Sequence, residues 1–149
     1  MLFAFEADFA QDLRCIPMVV RWKLDRCGIK LKLAHWLKLS LAQRQWLIDR
    51  PLDAQYAQQL QAWVEAITGA PASSLPIPER FDWQNPEHIP HQIQEQMAKL
   101  ALPPLSLSQW RNLGELQRFV LIKLTSPHHE NRNLIPALRE FGLLDRGTI

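Results

Sequence analysis

The chain has 149 residues, which suits one domain or two very small ones, and 47% of them are hydrophobic, enough for a core. Charged residues make up 21%, near the globular average, so the composition excludes wholesale disorder. No apolar run reaches the roughly 18–20 residues of a membrane span, and the acidic start lacks the basic region of a signal or transit peptide. We therefore expect a globular protein without a membrane partner.

Helix signals follow one another through the first half, and no segment alternates convincingly over strand length. A first helix is expected from about Glu6, where acidic residues suit the positive end of the helix dipole. A second is expected to begin with Pro17 at its first position and to run to about Cys27, with Gly28 as its C-terminal cap.

Three more helices are expected before residue 70. A short one covers about 33–38, and a Ser40–Gln43 capping box opens the next, which ends before Pro51. Asp53 caps the third, which ends at Gly69.

A loop over 70–90 follows that carries five prolines, and loops of this length are often functional or mark a junction between half-domains. Helical segments are then expected at 90–101, at an apolar stretch over 107–125 and at 134–141, with Gly142 as the last cap. The prediction is an all-α protein: a compact helical domain of about six to eight helices.

The two halves match each other in sequence. At an offset of 74, eight of eighteen positions are identical between 31–48 and 105–122, including Trp36/Trp110 and Arg44/Arg118. The preceding helix, which begins at an Ile-Pro pair in both halves, matches at an offset of 73. Such self-similarity is typical of a duplicated unit. We predict a tandem duplication within a single all-α domain over 1–149, with halves of about 1–74 and 75–149.

The net charge of +2 is unevenly distributed. Residues 14–38 hold seven lysines and arginines against one acid, whereas residues 39–149 hold ten bases and eleven acids. A basic segment of this kind suits nucleic acid, an anionic cofactor or an acidic protein face, or it is a solvated helix face without a partner.

The two cysteines, Cys15 and Cys27, are not expected to pair. If both lie on helix, their separation corresponds to roughly 18 Å, whereas a disulfide needs Cα atoms within about 7 Å. Two unpaired thiols fit a reducing compartment, so we expect a cytoplasmic protein.

One alternative function is a small metal- or thiol-dependent enzyme that uses Cys15 and the histidines. His88-x-x-His91 has a spacing that can hold a metal on a helix, but Pro90 lies between the two residues and spoils their shared face. The adjacent pair His128-His129 points apart on regular structure. No G-x-S-x-G, phosphate loop or dinucleotide fingerprint is present, so no catalytic residue and no metal are expected.

A second alternative is a helix-turn-helix protein that binds DNA, with Ser40 at the turn. The second helix, 41–49, offers only Gln43, Arg44 and Gln45 for base or phosphate contacts. Known readers place more contact residues there, so we expect no nucleic-acid partner.

Three segments carry a resemblance to a known family. They are L-R-C-I-P-M at Leu13–Met18, K-L-D-x-x-G-I-K-L within Lys23–Leu33, and P-A-L-x-E-F-G-L at Pro136–Leu143. With them the chain resembles the cyanobacterial nitrate reductase-associated protein family over nearly its whole length, and residues 52–88 match least. The resemblance implies a small cytoplasmic, non-catalytic accessory protein that assimilatory nitrate reductase needs for activity.

The reductase itself carries a molybdopterin cofactor and an iron–sulfur cluster, so the resemblance leaves three roles open: cofactor loading, stabilisation of the apoenzyme and support of electron delivery. We expect nitrate reductase as the protein partner and no cofactor bound to this chain. The predicted partner-binding residues would suit an acidic patch or a cofactor phosphate. They are Arg14, Arg21, Lys23, Lys30, Lys32, His128, His129, Asn131 and Asn133. The alternative for the last of these is local, with Asn131 or Asn133 capping the final helix.

Overall fold

The computed structural model describes residues 2–7, 13–127 and 133–144, and these residues are mostly helical. Two compact units divide the chain, Met1–Ile77 and Pro78–Ile149, close to the predicted boundary between the halves. The all-α fold class is therefore confirmed. Most of the helix expected from Glu6 lies outside the described residues, which show a 3-10 turn at Ala4–Glu6.

The first unit places four helices after the 3-10 turn. They are α1 at Met18–Cys27, α2 at Leu33–Lys38, α3 at Leu41–Asp49 and α4 at Ala54–Thr68. Helix α1 begins one residue later than predicted, because Pro17 keeps an extended backbone with ψ 154° and is the N-cap. Gly28 ends the helix in the left-handed conformation with φ 71°, as predicted.

Local capping chemistry fixes the starts of α3 and α4. Ser40 Oγ accepts the Gln43 N–H at 3.0 Å, and Gln43 Oε1 accepts the Ser40 N–H at 2.9 Å, which completes the predicted capping box. Asp53 Oδ1 accepts the Tyr56 N–H at 3.0 Å.

A two-residue strand pair was not predicted. Strand β1, Ile29–Lys30, pairs antiparallel with β2, Ser73–Ser74, in the register Ile29 to Ser74 and Lys30 to Ser73. The pairing joins residues near the end of the first unit to the segment that precedes α2. It is too short to change the helical class.

The second unit repeats the order of the first. A 3-10 turn at Asp82–Gln84 precedes α5 at His91–Lys99, α6 at Leu107–Asn112, α7 at Glu115–Leu124 and α8 at Leu134–Glu140. The apolar stretch at 107–125 is thus two helices, which break at Leu113-Gly114 as α2 and α3 break at Leu39-Ser40. Within the described ranges, no helix combines the length and apolar composition needed to span a bilayer.

The two units make matching contacts at Trp36 and Trp110 and at their 3-10 turns. Trp36 and Trp110 are both fully buried, and their indole N–H groups donate to the backbone carbonyls of Leu13 and Asn85. Both 3-10 turns follow a phenylalanine whose N–H donates to the side chain three residues later, to Glu6 at 3.1 Å and to Gln84 at 2.7 Å. These matches support the duplication, which stays a prediction.

Candidate partner-binding surface

Four of the predicted basic residues reach the surface of the first unit. Arg14, Lys30 and Lys32 are exposed, and Arg21 is half-buried with its Nε donating to the Ile16 carbonyl at 3.0 Å. Lys30 lies on β1, and Lys32 is the N-cap residue of α2. The segment from β1 to the start of α2 therefore presents two lysines close together in the chain.

Lys23 does not belong to this surface. Its side chain is buried, and Nζ donates to the carbonyls of Leu47, Ile48 and Arg50 at 3.3, 2.8 and 2.7 Å. These groups lie at the C-terminal end of α3, where helix carbonyls have no partners within the helix. The ammonium group caps α3 and is withdrawn from any partner, contrary to the prediction.

Tyr56 completes the surroundings of the Lys23 ammonium group. The ring centre lies 5.5 Å from Nζ, and the tyrosine hydroxyl donates to the Leu47 carbonyl at 2.7 Å. Burial lowers the pKa of Lys23 and raises the pKa of Tyr56, because both charged forms lose hydration, while nearby Asp49 acts in the opposite direction on Lys23. This cluster is structural.

The predicted partner-binding residues His128, His129 and Asn131 lie outside the described residues. Asn133 is half-buried and occupies the N-cap position of α8, but its side chain makes no capping hydrogen bond. Its backbone is helical, with φ −93° and ψ −2°, which differs from the extended backbone typical of N-caps. The capping role proposed for Asn133 is therefore wrong.

The sequence reasoning missed three exposed leucines beside the lysines. Leu33, Leu37 and Leu41 expose 50%, 46% and 61% of their surface. Leucine is ordinarily a core residue, so helical spacing alone does not indicate that these leucines are exposed. The internal repeat carried the signal, because the second half has Arg111 and Glu115 at the positions of Leu37 and Leu41.

A shallow groove of about 360 Å³ lies along α3 and α4 of the same unit. Its lining is Trp46, Gln55, Gln58, Gln59 and Ala62. None of these side chains titrates near neutral pH, so the groove offers no acid, base or nucleophile of its own.

The described cysteines and histidines of the enzyme alternative do not form a reactive site. Cys15 and Cys27 are half-buried free thiols, as predicted, and burial raises the pKa of Cys27. His91 Nε2 lies 2.8 Å from the Glu95 carboxylate, and His35 Nδ1 accepts a backbone N–H. Among residues 2–7, 13–127 and 133–144, no group of three His, Cys, Asp or Glu side chains is placed to hold a metal ion.

The DNA-binding alternative loses its only cation on α3. Arg44 is buried, and its guanidinium donates to the carbonyls of Trp36, Leu13 and Leu37 at 3.0, 3.2 and 2.8 Å. A side chain bound in this way cannot reach a phosphate or a base edge.

The comparison with known proteins identifies a family. The sequence model of the conserved nitrate reductase-associated protein family matches residues 2–141, nearly the whole chain. No curated protein and no solved structure matches the chain significantly. Because the family match covers far more than half of the sequence, this chain belongs to the conserved nitrate reductase-associated protein family.

Proposed function

We propose that this protein is a non-enzymatic accessory factor that assimilatory nitrate reductase needs for activity, and that it acts by direct contact with the reductase. The family match over residues 2–141 carries the proposal, since the family is described as nitrate reductase-associated. Loading of the molybdenum cofactor and stabilisation of the enzyme are the two forms of help that such a contact would most directly provide.

The exposed basic residues of the first unit support a protein contact. Arg14, Lys30 and Lys32 stand at the surface of a segment rich in positive charge, where they suit an acidic face of the reductase. His128, His129 and Asn131, together with Asn133, remain a proposed second part of the surface.

The deciding experiment captures the reductase with tagged protein from cells growing on nitrate. The reductase from cells with and without this protein is then assayed for molybdenum. Co-purification together with loss of molybdenum in the absence of the protein is the result expected for cofactor loading. Co-purification with unchanged molybdenum favours stabilisation, and failure to capture the reductase at any salt concentration contradicts direct contact.

Charge-reversal variants sharpen the capture experiment. Lys30→Glu with Lys32→Glu is expected to weaken capture, because both ammonium groups are exposed and close in the chain. Lys99→Glu is the matched control, since Lys99 is an exposed lysine of α5 in the second unit.

Cys15→Ser tests the enzyme alternative in the same cells. Retained reductase activity in this variant, with no metal bound to the purified protein, would remove a thiol- or metal-dependent reaction from consideration. Lost activity with an intact fold would favour it.

A further inference from the structure

We infer that Leu33, Leu37 and Leu41, together with the surrounding Lys30, Lys32 and Lys38, form the docking surface of this protein. We call these six residues the leucine–lysine surface. Its occupant is a protein face with an apolar centre and an acidic rim, and the inference rests on the proposed function in taking that face to belong to nitrate reductase.

The leucines are concentrated in a short stretch of the first unit. Leu33 and Leu37 lie one helical turn apart on α2, so they share a face of that helix, and Leu41 is the first residue of α3. With 50%, 46% and 61% of their surface exposed, they leave apolar area in water within nine residues of chain. Exposed apolar patches with a polar rim mark interaction sites.

The second unit shows that the fold does not require leucine at two of these three positions, those of Leu37 and Leu41. At an offset of 74, α6 and α7 carry Leu107, Arg111 and Glu115 in place of Leu33, Leu37 and Leu41. Arg111 forms an ion pair with Glu87 there, at 2.5 Å between Nη2 and the carboxylate, and Glu115 is exposed at the start of α7. An acid in a first helical turn also suits the helix dipole, an advantage that Leu41 lacks.

The charge of the chain segment that carries the leucines is of one sign. Lys30, Lys32 and Lys38 are exposed, and no acidic residue occurs between positions 26 and 48. Within the described residues, the ammonium groups of these three lysines make no ion pair. Charge complementarity therefore calls for a partner with carboxylates around an apolar centre.

The same charge pattern disfavours the other occupants. A twofold contact between two copies would bring each lysine close to lysines of the other copy, at an electrostatic cost. Nucleic acid would use the lysines but leave the leucines uncovered, because its backbone contacts are ionic. An acidic protein face covers both parts of the surface.

The test measures binding of purified cognate nitrate reductase to the full-length protein and its variants. Leu37→Arg with Leu41→Glu gives the first unit the residues that the second unit already carries, so the variant is expected to fold. Leu33→Ser is the second variant, and Leu107→Ser is its matched control at the equivalent position of the second unit. Circular dichroism and thermal unfolding check that all variants fold.

The expected result is that the double variant and Leu33→Ser each weaken binding about tenfold or more, while Leu107→Ser stays within about twofold of the wild type. Raising the salt concentration from about 50 to about 300 mM is expected to weaken wild-type binding, since the rim is charged.

Four results would overturn the inference. Wild-type binding that the leucine variants leave unchanged would overturn the docking surface alone, whereas absence of wild-type binding would overturn the proposed function and the inference with it. Binding of the wild type to anionic phospholipid vesicles that the leucine variants abolish, with reductase binding intact, would assign the surface to a membrane. A dimer in sedimentation that only the leucine variants dissociate would assign it to a second copy.

Discussion

The guanidinium group of Arg44 donates through Nε to the Trp36 carbonyl at 3.0 Å, and its central carbon lies 5.9 Å from the centre of the Trp36 ring. The second unit repeats the contact with the ring, since the central carbon of the Arg118 guanidinium lies 5.8 Å from the ring centre of Trp110. In both units the arginine also donates to a carbonyl near the end of the preceding short helix. In each unit, one buried arginine therefore stabilises the connection between two consecutive short helices.

Replacing either arginine with lysine is expected to destabilise its unit by about 2–3 kcal/mol, because an ammonium group cannot reproduce a planar fork that reaches several carbonyls at once. Urea unfolding of Arg44→Lys and Arg118→Lys measures the loss. Lys99→Ala on the exposed side of α5 is the control, with an expected change within about 0.5 kcal/mol. Equal stability of the lysine variants and the wild type would contradict a stabilising role for the guanidinium group.

Lys23→Met is expected to lower the free energy of unfolding by about 2–3 kcal/mol. The Leu47 carbonyl keeps the Tyr56 hydroxyl as a donor, but the carbonyls of Ile48 and Arg50 lose the ammonium group. Burying the ammonium charge costs free energy, as the lowered pKa of Lys23 indicates, and methionine removes that cost. The free energy lost with the two hydrogen bonds is expected to be larger.

Lys30→Met is the matched control for that measurement, because Lys30 is an exposed lysine of the same basic segment. Its stability is expected to stay within about 0.5 kcal/mol of the wild type in denaturant unfolding. If the two methionine variants lose the same amount, Lys23 does not cap α3 in the way described.

The sequence predicted those features of the fold that have local causes. The helix ends at Ser40, Asp53 and Gly28 follow from side chains or backbone conformations within a few residues, and each was found as expected. The β1–β2 pair and the burial of Lys23 were missed, because their partners lie far along the chain. The carbonyls that bind Lys23 are 24, 25 and 27 residues away.

The sequence indicated only some residues of the candidate surface, because charge is visible in the sequence and exposure is not. Positive charge is visible in the sequence, so Lys30 and Lys32 were identified as exposed candidates. Exposure of Leu37 and Leu41 is not visible from residue type, and only the comparison of the two halves could have indicated it. An internal repeat therefore gives more information about a surface when its differing positions are read beside its identical ones.

Tyr56 gives the protein a defined response to alkaline pH. Burial raises the pKa of its hydroxyl above the ordinary value of 10.0, so above that pH the unfolded chain releases this proton while the folded chain keeps it. Rising pH then favours the unfolded state, by about 1.4 kcal/mol for each pH unit above 10. Stability conferred by this hydroxyl is complete below pH 10 and declines above it.

Tyr56→Phe isolates that response. At neutral pH the variant is expected to be about 1 kcal/mol less stable than the wild type, because the hydrogen bond to the Leu47 carbonyl is lost. By about pH 11 the order is expected to reverse, since phenylalanine has no proton to release. Urea unfolding of both proteins across this range measures the difference, and Tyr56 is the chain's single tyrosine, so absorbance reports its ionisation directly. A constant difference across the range would contradict the prediction.

Alanine substitutions at Gly28 and Gly69 distinguish the cost of backbone strain from the cost of a steric clash. Both adopt the left-handed conformation, with φ values of 71° and 86°, so alanine at either position costs about 1–2 kcal/mol of strain. A Cβ atom at Gly28 would also lie 2.9 Å from the Leu75 carbonyl oxygen, whereas one at Gly69 meets nothing within 4 Å. The Leu75 backbone has little room to move, because its N–H donates to the Gly28 carbonyl at 2.8 Å beside the β1–β2 pair.

Gly28→Ala is therefore expected to lose about 1–3 kcal/mol more than Gly69→Ala in urea unfolding. The same variant should weaken reductase capture if the β1–β2 pair positions Lys30, whereas Gly69→Ala should leave capture unchanged. Equal losses of stability in the two alanine variants would mean that strain alone accounts for the glycine at position 28. Greater loss at Gly28 with capture unchanged would keep the steric argument and show that the position of Lys30 does not depend on the strand pair.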